Sequence, residues 1–308
     1  MPDLDHLLER TSRTFALSIP RLPEPTRTEV TVAYLLFRIA DTFEDASASP
    51  PDERIAALED LASLLRGEGR ADAPTAAERW LRSIDVSHDG YRELLEETPF
   101  VLETYRGLRP EAERELRRHL LRTVRGMEVF VERSRDTGEL RLADLDELRH
   151  YCYVVAGIVG EMLTELFLLG RDGLREVGPY LRERSRAFGE GLQLVNVLKD
   201  AGKDTEEGRR YLPPSVGRDR VFSLAREDLE RAAEYTLALQ EAGAESGVVA
   251  FNALPVKLAW ATLDVVEREG PGSKISRTDV WRLVGETEAA IAEGRPVIST
   301  SGAGRAVG

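Results

Sequence analysis

The chain has 308 residues, 42% of them hydrophobic, enough to bury a sizeable core and compatible with one large domain. Its 42 Lys and Arg against 55 Asp and Glu leave a formal charge of −13, which excludes a general nucleic-acid binder, because phosphate contacts need basic patches. An anionic substrate therefore needs metal or a local basic pocket. The single cysteine, Cys152, excludes an intrachain disulfide and a cysteine-based zinc site. The N-terminal stretch carries Asp3, Asp5 and Glu9 and lacks an apolar run of signal-peptide kind, so the expectation is a soluble, cytoplasmic protein.

In chain order, Leu4, Leu7 and Leu8 with Thr11 predict a short amphipathic helix, followed by Ser12-Arg13-Thr14-Phe15, a polar and basic step beside an aromatic. A helix end with one core phenylalanine fits that step as well as a functional role does. Pro20, Pro23 and Pro25 make the next stretch a turn-rich linker. From Glu29 to Asp45 the sequence is apolar on nearly every side, which predicts a helix buried all round. Arg38 and Asp41 are expensive inside it, since a charge rarely sits in a core without a partner. Asp41 and Asp45 stand at i, i+4 with Glu44 between them, so carboxylates project from one end of an apolar rod. The small, proline-containing loop 46–52 beside these acids is of the kind that can act as a lid.

The middle predicts amphipathic helices over 53–65, 76–84, 90–105 and 111–133, separated by loops rich in Gly, Pro and Asp, with no alternating strand pattern. Arg114, Arg117, Arg118, Arg122 and Arg125 give the last of these a basic stripe, read as a solvated face paired with neighbouring glutamates. After a loop at 134–144, a long apolar segment begins near Tyr151. Glu161 and Glu165 interrupt it and mark a core helix rather than a membrane span. Gly157 and Gly160 cost that helix about 1 kcal/mol each relative to alanine, so something approaches its backbone closely; a neighbouring helix and a long apolar substrate both fit. Tyr151 is either a proton-transferring phenol or a plain buried tyrosine.

From about Glu183 another helix runs through Gln193 to Asp204. Leu192, Val195 and Leu198 share one face, which leaves Gln193, Asn196, Asp200 and Asp204 on another. Four residues at about 1.5 Å rise bring the Asp200 and Asp204 carboxylates within roughly 6 Å, close enough to share one hydrated Mg2+ whose shell substrate phosphates complete. A solvated helix end with Lys199 and Lys203 as surface partners fits the same spacing.

Together, SRTF at 12–15, YLLFRIADTFED at 34–45, YCYVVAGIVG at 151–160 and LQLVNVLKDAGKD followed by GRRYLP within 192–213 resemble the squalene/phytoene synthase family. The motifs stand in the family's order, and the resemblance runs from about residue 8 to about residue 285. It implies an all-α fold, a single isoprenoid-synthase-type domain with a central cavity over 1–293, and a small-residue tail at 294–308 expected to be disordered. It also implies head-to-head joining of two prenyl diphosphates through a cyclopropyl intermediate. Asp41 and Asp45 match the first acidic motif and Asp200 and Asp204 the second, both binding Mg2+ and diphosphate. Ser12, Arg13, Thr14, Tyr34, Arg38, Gln193, Asn196 and Arg209 match positions that line the diphosphate sites. Tyr151 matches a tyrosine that assists proton removal, and Phe15 an aromatic near the reacting carbons, where a ring face stabilises a carbocation. Lys199 stands where the family usually has arginine, a point charge in place of a bidentate fork. Lys274 and Arg277 approximate a basic motif that closes the diphosphate or cofactor site.

The form Asp-Thr-Phe-Glu-Asp is closer to squalene synthases than to phytoene synthases, whose motif more often begins Asp-Asp. The resemblance therefore implies two farnesyl diphosphates joined through presqualene diphosphate to squalene, with Mg2+ throughout and NADPH in the second half-reaction. The alternatives are a phytoene synthase acting on two geranylgeranyl diphosphates without reductant, a presqualene diphosphate or dehydrosqualene synthase, and a non-catalytic prenyl diphosphate-binding protein. The last would break an acid pair, and both pairs are intact. No G-x-G-x-x-G fingerprint follows a strand, as in squalene synthases generally. No hydrophobic anchor follows residue 285, so a cytoplasmic enzyme with transient peripheral membrane contact is expected, with no obligate protein partner.

Overall fold

The computed structural model describes residues 3–68 and 72–299. Its helices group into two compact units. The first comprises Met1–Ile19, Glu24–Arg141 and Glu207–Arg209; the second comprises Pro20–Pro23, Leu142–Glu206 and Arg210–Gly308.

In the first unit, α1 (Leu4–Thr11) and the short α2 (Phe15–Ser18) precede α3 (Thr26–Asp45), α4 (Pro51–Arg66), α5 (Ala73–Ser83), α6 (Asp89–Glu96), α7 (Thr98–Arg106) and α8 (Pro110–Arg133). The two-residue strand β1 (Leu140–Arg141) follows. As its all-round apolar sequence predicts, α3 is the core rod, with Val32, Leu35, Leu36, Ile39 and Phe43 fully buried. Buried Glu29 near its start is matched by a bidentate Arg109 at 2.5 and 3.0 Å. The single helix expected over 90–105 is two helices. Pro99, in the first turn of α7, has no N–H to offer the preceding turn, and α6 ends ahead of it. The arginine stripe of α8 is the paired, solvated face expected, with Arg117 on Glu113 and Arg118 on Glu115, both at 2.9 Å.

The expected lid is a pinned turn. Helix α4 already starts at Pro51, and Ser49 is buried, with its Oγ accepting the Asp85 N–H at 2.7 Å. A hydroxyl used in this way ties the connection to the body of the unit.

In the second unit, α9 (Leu145–Cys152) passes through a π-helical turn at Tyr153–Gly157 into α10 (Ile158–Leu168). The unit continues with the 29-residue α11 (Gly178–Glu206), α12 (Arg218–Glu241), α13 (Ser246–Glu269) and α14 (Arg277–Ala292). Strand β2 (Arg209–Arg210) lies on the chain between α11 and α12. The helix expected to start at Tyr151 starts at Leu145, capped by Asp144.

The close approach foreseen at the glycines is made by a helix. A Cβ on Gly160 would lie 2.0 Å from the Ser185 carbonyl oxygen, and one on Gly189 would lie 1.9 Å from that of Ala156, so α11 packs backbone to backbone on the π turn and α10. Glu165, one of the two acids that mark this segment as a core helix, pairs with Arg182 at 2.7 Å. Leu145–Leu168 and Ser246–Glu269 are each long and apolar enough to cross a membrane by length and composition, and 61% and 67% of their apolar windows are buried within the structure.

Where disorder is expected from Gly294, the chain is instead held as far as Ile298. Gln240 donates to the Arg295 carbonyl at 2.7 Å and accepts the Val297 N–H at 3.0 Å, and Val297 and Ile298 are buried. Residues 300–308 lie outside the described residues.

Candidate active site

In the first unit the candidate residues converge on the C-terminal end of α3. Asp41, Glu44 and Asp45 crowd the end of the helix where the macrodipole is negative, the least favourable place for carboxylates. Burial pushes the Asp41 carboxyl up to about 6, against the pull of Arg38 and with added repulsion from Asp45. Glu44 is raised well above the usual carboxylate range, by burial first and then by Asp45.

Arg38 explains its own presence in the apolar rod. It meets Asp41 at 3.4 Å and lies over the rings of Tyr34 and Tyr91, at 5.6 and 5.4 Å from their centroids. The Tyr34 hydroxyl donates to the Thr11 carbonyl at 2.8 Å, and its ring lies 5.6 Å from that of Phe15. Ser12 Oγ accepts the Phe15 N–H at 2.9 Å and so opens α2. Ser12, Phe15, Tyr34, Arg38 and Asp41 thus form one line of contacts, with Arg13 and Thr14 exposed on the intervening turn.

Two further arginines serve the same helix end. Arg209, expected on a diphosphate, donates to the Asp45 carbonyl at 3.0 Å, approaches Asp45 Oδ1 at 3.6 Å and pairs with Glu207. Arg54 is buried and donates to the carbonyl oxygens of Phe43, at 3.0 Å, and Glu44. It satisfies orphan acceptors of the last turn of α3 with a cation, the charge that the helix end calls for.

In the second unit the polar face predicted for α11 is present. Leu194, Val195, Val197 and Leu198 are buried, whereas Gln193, Asn196, Asp200 and Asp204 retain exposure. Leu192, placed on the apolar face by spacing, is only partly covered. Lys199 reaches Asp200 at 3.1 Å and Asn196 at 3.3 Å, so its ammonium already lies on an acid of this pair. The loop after α13 is fastened there too, through the Gly272 N–H on the Lys199 carbonyl at 2.7 Å. That loop carries Lys274, and α14 begins at Arg277, both exposed. Tyr151 is buried in the last turn of α9, where its hydroxyl donates to that of Tyr211 at 2.9 Å.

Sequence reasoning did not single out Tyr91, Arg54, Glu207 or Tyr211. Tyr211 stood inside the GRRYLP motif, and Tyr91 was one aromatic in a helix whose buried side is Leu94 and Leu95. Arg54 and Glu207 carried no signal, because each is identified only by a contact distant in sequence or by its partner's role.

Among the described residues, no three His, Cys, Asp or Glu side chains are gathered to enclose a metal ion unaided. The donors at the end of α3 fit a different arrangement, a hard divalent cation held by a carboxylate pair with oxygens of water or substrate completing its shell. Burial raises both carboxyls, and a cation bound there would lower them.

An all-α chain with acid pairs at the ends of two long helices is of the isoprenoid-synthase type. The model of the squalene/phytoene synthase family matches residues 8–218, more than half of the sequence, and the chain belongs to that family. It is 27% identical over 211 residues to the squalene synthase of Schizosaccharomyces pombe, covering 68% of this chain and 43% of that protein. To squalene synthase ERG9 of Gibberella zeae it is 26% identical over 306 residues, covering 91% of this chain and 62% of that protein. The chain therefore spans only part of the length of these relatives. Among solved structures it is similar to TcSQS in complex with the ligand E5700, with a TM-score of 0.71 and 23% identity over 92% of this chain and 84% of that one.

Proposed function

We propose that this chain joins two farnesyl diphosphates head to head, through presqualene diphosphate, to squalene, with Mg2+ at both acid pairs and NADPH as the hydride donor of the second half-reaction. The observation that carries this reading is the end of α3, where three carboxylates are concentrated and two of them are raised in pKa. Arg38, Arg54 and Arg209 meet this concentration, and both carboxyls stay raised beside them, as suits a site that takes a further cation. The squalene synthase names of the relatives and the Asp-Thr-Phe-Glu-Asp form of the motif favour squalene over phytoene.

Asp41 and Asp45 would hold metal at one diphosphate, and Asp200 and Asp204 at the other. Bound Mg2+ supplies the positive charge that a departing diphosphate requires. Arg38, Arg209 and Lys199 each already touch an acid of these motifs, and they exchange that acid for a phosphate oxygen when substrate arrives. Phe15 and Tyr34 offer ring faces to an allylic cation. Ser12, Arg13, Thr14, Gln193 and Asn196 supply hydrogen bonds to the diphosphates, and Tyr151 takes the proton lost on cyclopropane formation. Lys274 and Arg277 are exposed cations suited to the phosphates of substrate or nicotinamide cofactor. We read the chain as cytoplasmic, meeting lipid surfaces transiently to deliver an apolar product.

Substitution tests the two pairs separately. Asp41→Asn and Asp200→Asn should each lower turnover by at least about 10²–10³ and weaken Mg2+ binding measured by calorimetry, with the fold retained by circular dichroism. Turnover near wild type in either variant, or activity that survives EDTA, would remove that pair from the reaction.

A further inference from the structure

The segment after β2 is fastened to the lead-in of α9. Leu142 donates its N–H to the Arg210 carbonyl at 3.2 Å, and Ser215 Oγ donates to the Ala143 carbonyl at 2.9 Å. On one side these bonds bracket Tyr211, just after β2, and on the other they immediately precede Asp144, the cap of the helix that carries Tyr151. The result is a matched pair of phenols. Both are buried, their rings stack at 4.5 Å with 25° between planes, and the Tyr151 hydroxyl is the donor to Tyr211 at 2.9 Å. Two residues after Tyr151 the helix widens into the π turn, a distortion frequent at functional sites.

A phenol that is to take a proton must turn an oxygen lone pair toward it, so its own hydrogen has to point elsewhere. Tyr211 imposes that orientation by accepting the Tyr151 hydrogen. We propose that Tyr211 is a positioning residue for the proton-removal step, aiming the Tyr151 oxygen and receiving its proton.

This inference rests on the proposed function and deepens it. As the cyclopropane closes, the C1–H bond of one farnesyl group breaks and its proton adds to the Tyr151 oxygen. The Tyr151 proton crosses the existing hydrogen bond to the Tyr211 oxygen, and the Tyr211 proton passes, directly or through water, to the diphosphate released in the same step. The C–H electron pair enters the new carbon–carbon bond, no phenol ends charged, and nothing is oxidised or reduced.

The test compares wild type, Tyr151→Phe, Tyr211→Phe and the double variant with Mg2+ and farnesyl diphosphate, unlabelled or deuterated at C1, without reductant. Circular dichroism and thermal unfolding report the fold, and Tyr211→Phe keeps the stacked ring. For Tyr211→Phe the expected result is a fall in kcat on the order of tenfold to a hundredfold, below the full loss of a general base. KM should be little changed and the deuterium isotope effect larger, because proton removal becomes limiting. The double variant should be no slower than Tyr151→Phe alone, since the two hydroxyls act as a unit. Unchanged kcat and isotope effect in Tyr211→Phe, or independent multiplying losses in the double variant, would overturn this inference while leaving the proposed function standing. A wild-type protein that couples no prenyl diphosphate would overturn both.

Discussion

The backbone N–H of Gly272 donates to the carbonyl oxygen of Lys199 at 2.7 Å, one residue before Asp200. The bond fixes the loop bearing Lys274 beside the second acidic motif. Gly272 holds a φ of +86°, and no atom lies within 4 Å of a Cβ placed there, so only backbone strain opposes substitution. Gly272→Ala should cost about 1–2 kcal/mol, taken up by local opening of the exposed loop and not by global unfolding. The expected outcome is a several-fold rise in KM for farnesyl diphosphate with kcat and Tm nearly unchanged, and faster hydrogen exchange at residue 272. An unchanged KM would separate the loop from substrate binding.

Arg54 is the structural counterpart at the other motif. Removing its guanidinium leaves the Phe43 and Glu44 carbonyls without this donor and takes from Glu44 one of the two cations, Arg54 and Arg209, that act on it. Arg54→Met should lose about 2–4 kcal/mol in urea unfolding. Arg54→Lys should recover only part of this, because an ammonium cannot fork between two carbonyls. Equal stability of Met and Lys variants would show that charge and geometry at this site are unimportant.

Asp41 sets a pH dependence with a definite sign. Its carboxyl is raised to about 6 by burial, against Arg38 and with Asp45, whereas an unfolded Asp titrates near 3.9. Between these values the native state holds the proton that the unfolded state has released, so the contribution of Asp41 to stability falls as pH rises from about 4 to about 6 and is level above. In EDTA, Asp41→Asn should gain in Tm relative to wild type across that window. Saturating Mg2+ should raise the wild-type Tm above pH 6 more than that of the variant. Parallel pH curves with and without the substitution would contradict this assignment.

What could be read in the sequence was local. Arg38 and Asp41 stood out because charges are costly in an apolar helix. The polar face of α11 followed from spacing alone, and Gly157 and Gly160 foretold a close approach that proves to be α11. What could not be read depended on partners far along the chain. Tyr211 meets Tyr151 across 60 residues, and Arg54 meets the end of α3 through backbone carbonyls that any sequence offers. Over 46–52 the sequence did not show that Ser49 is held by Asp85, and over 294–298 it did not show that Gln240 and two buried aliphatic residues hold a segment whose composition alone reads as loose. The break before Pro99 was available to the sequence but was masked by the amphipathic pattern on either side.

The central claim is tested most directly by product mass. Purified protein is incubated with Mg2+ and either farnesyl or geranylgeranyl diphosphate, with and without NADPH. The expected result is presqualene diphosphate from farnesyl diphosphate without reductant and squalene with it. A phytoene-length product from geranylgeranyl diphosphate, insensitive to NADPH, would contradict the squalene assignment, and binding of either diphosphate without coupling would contradict catalysis itself.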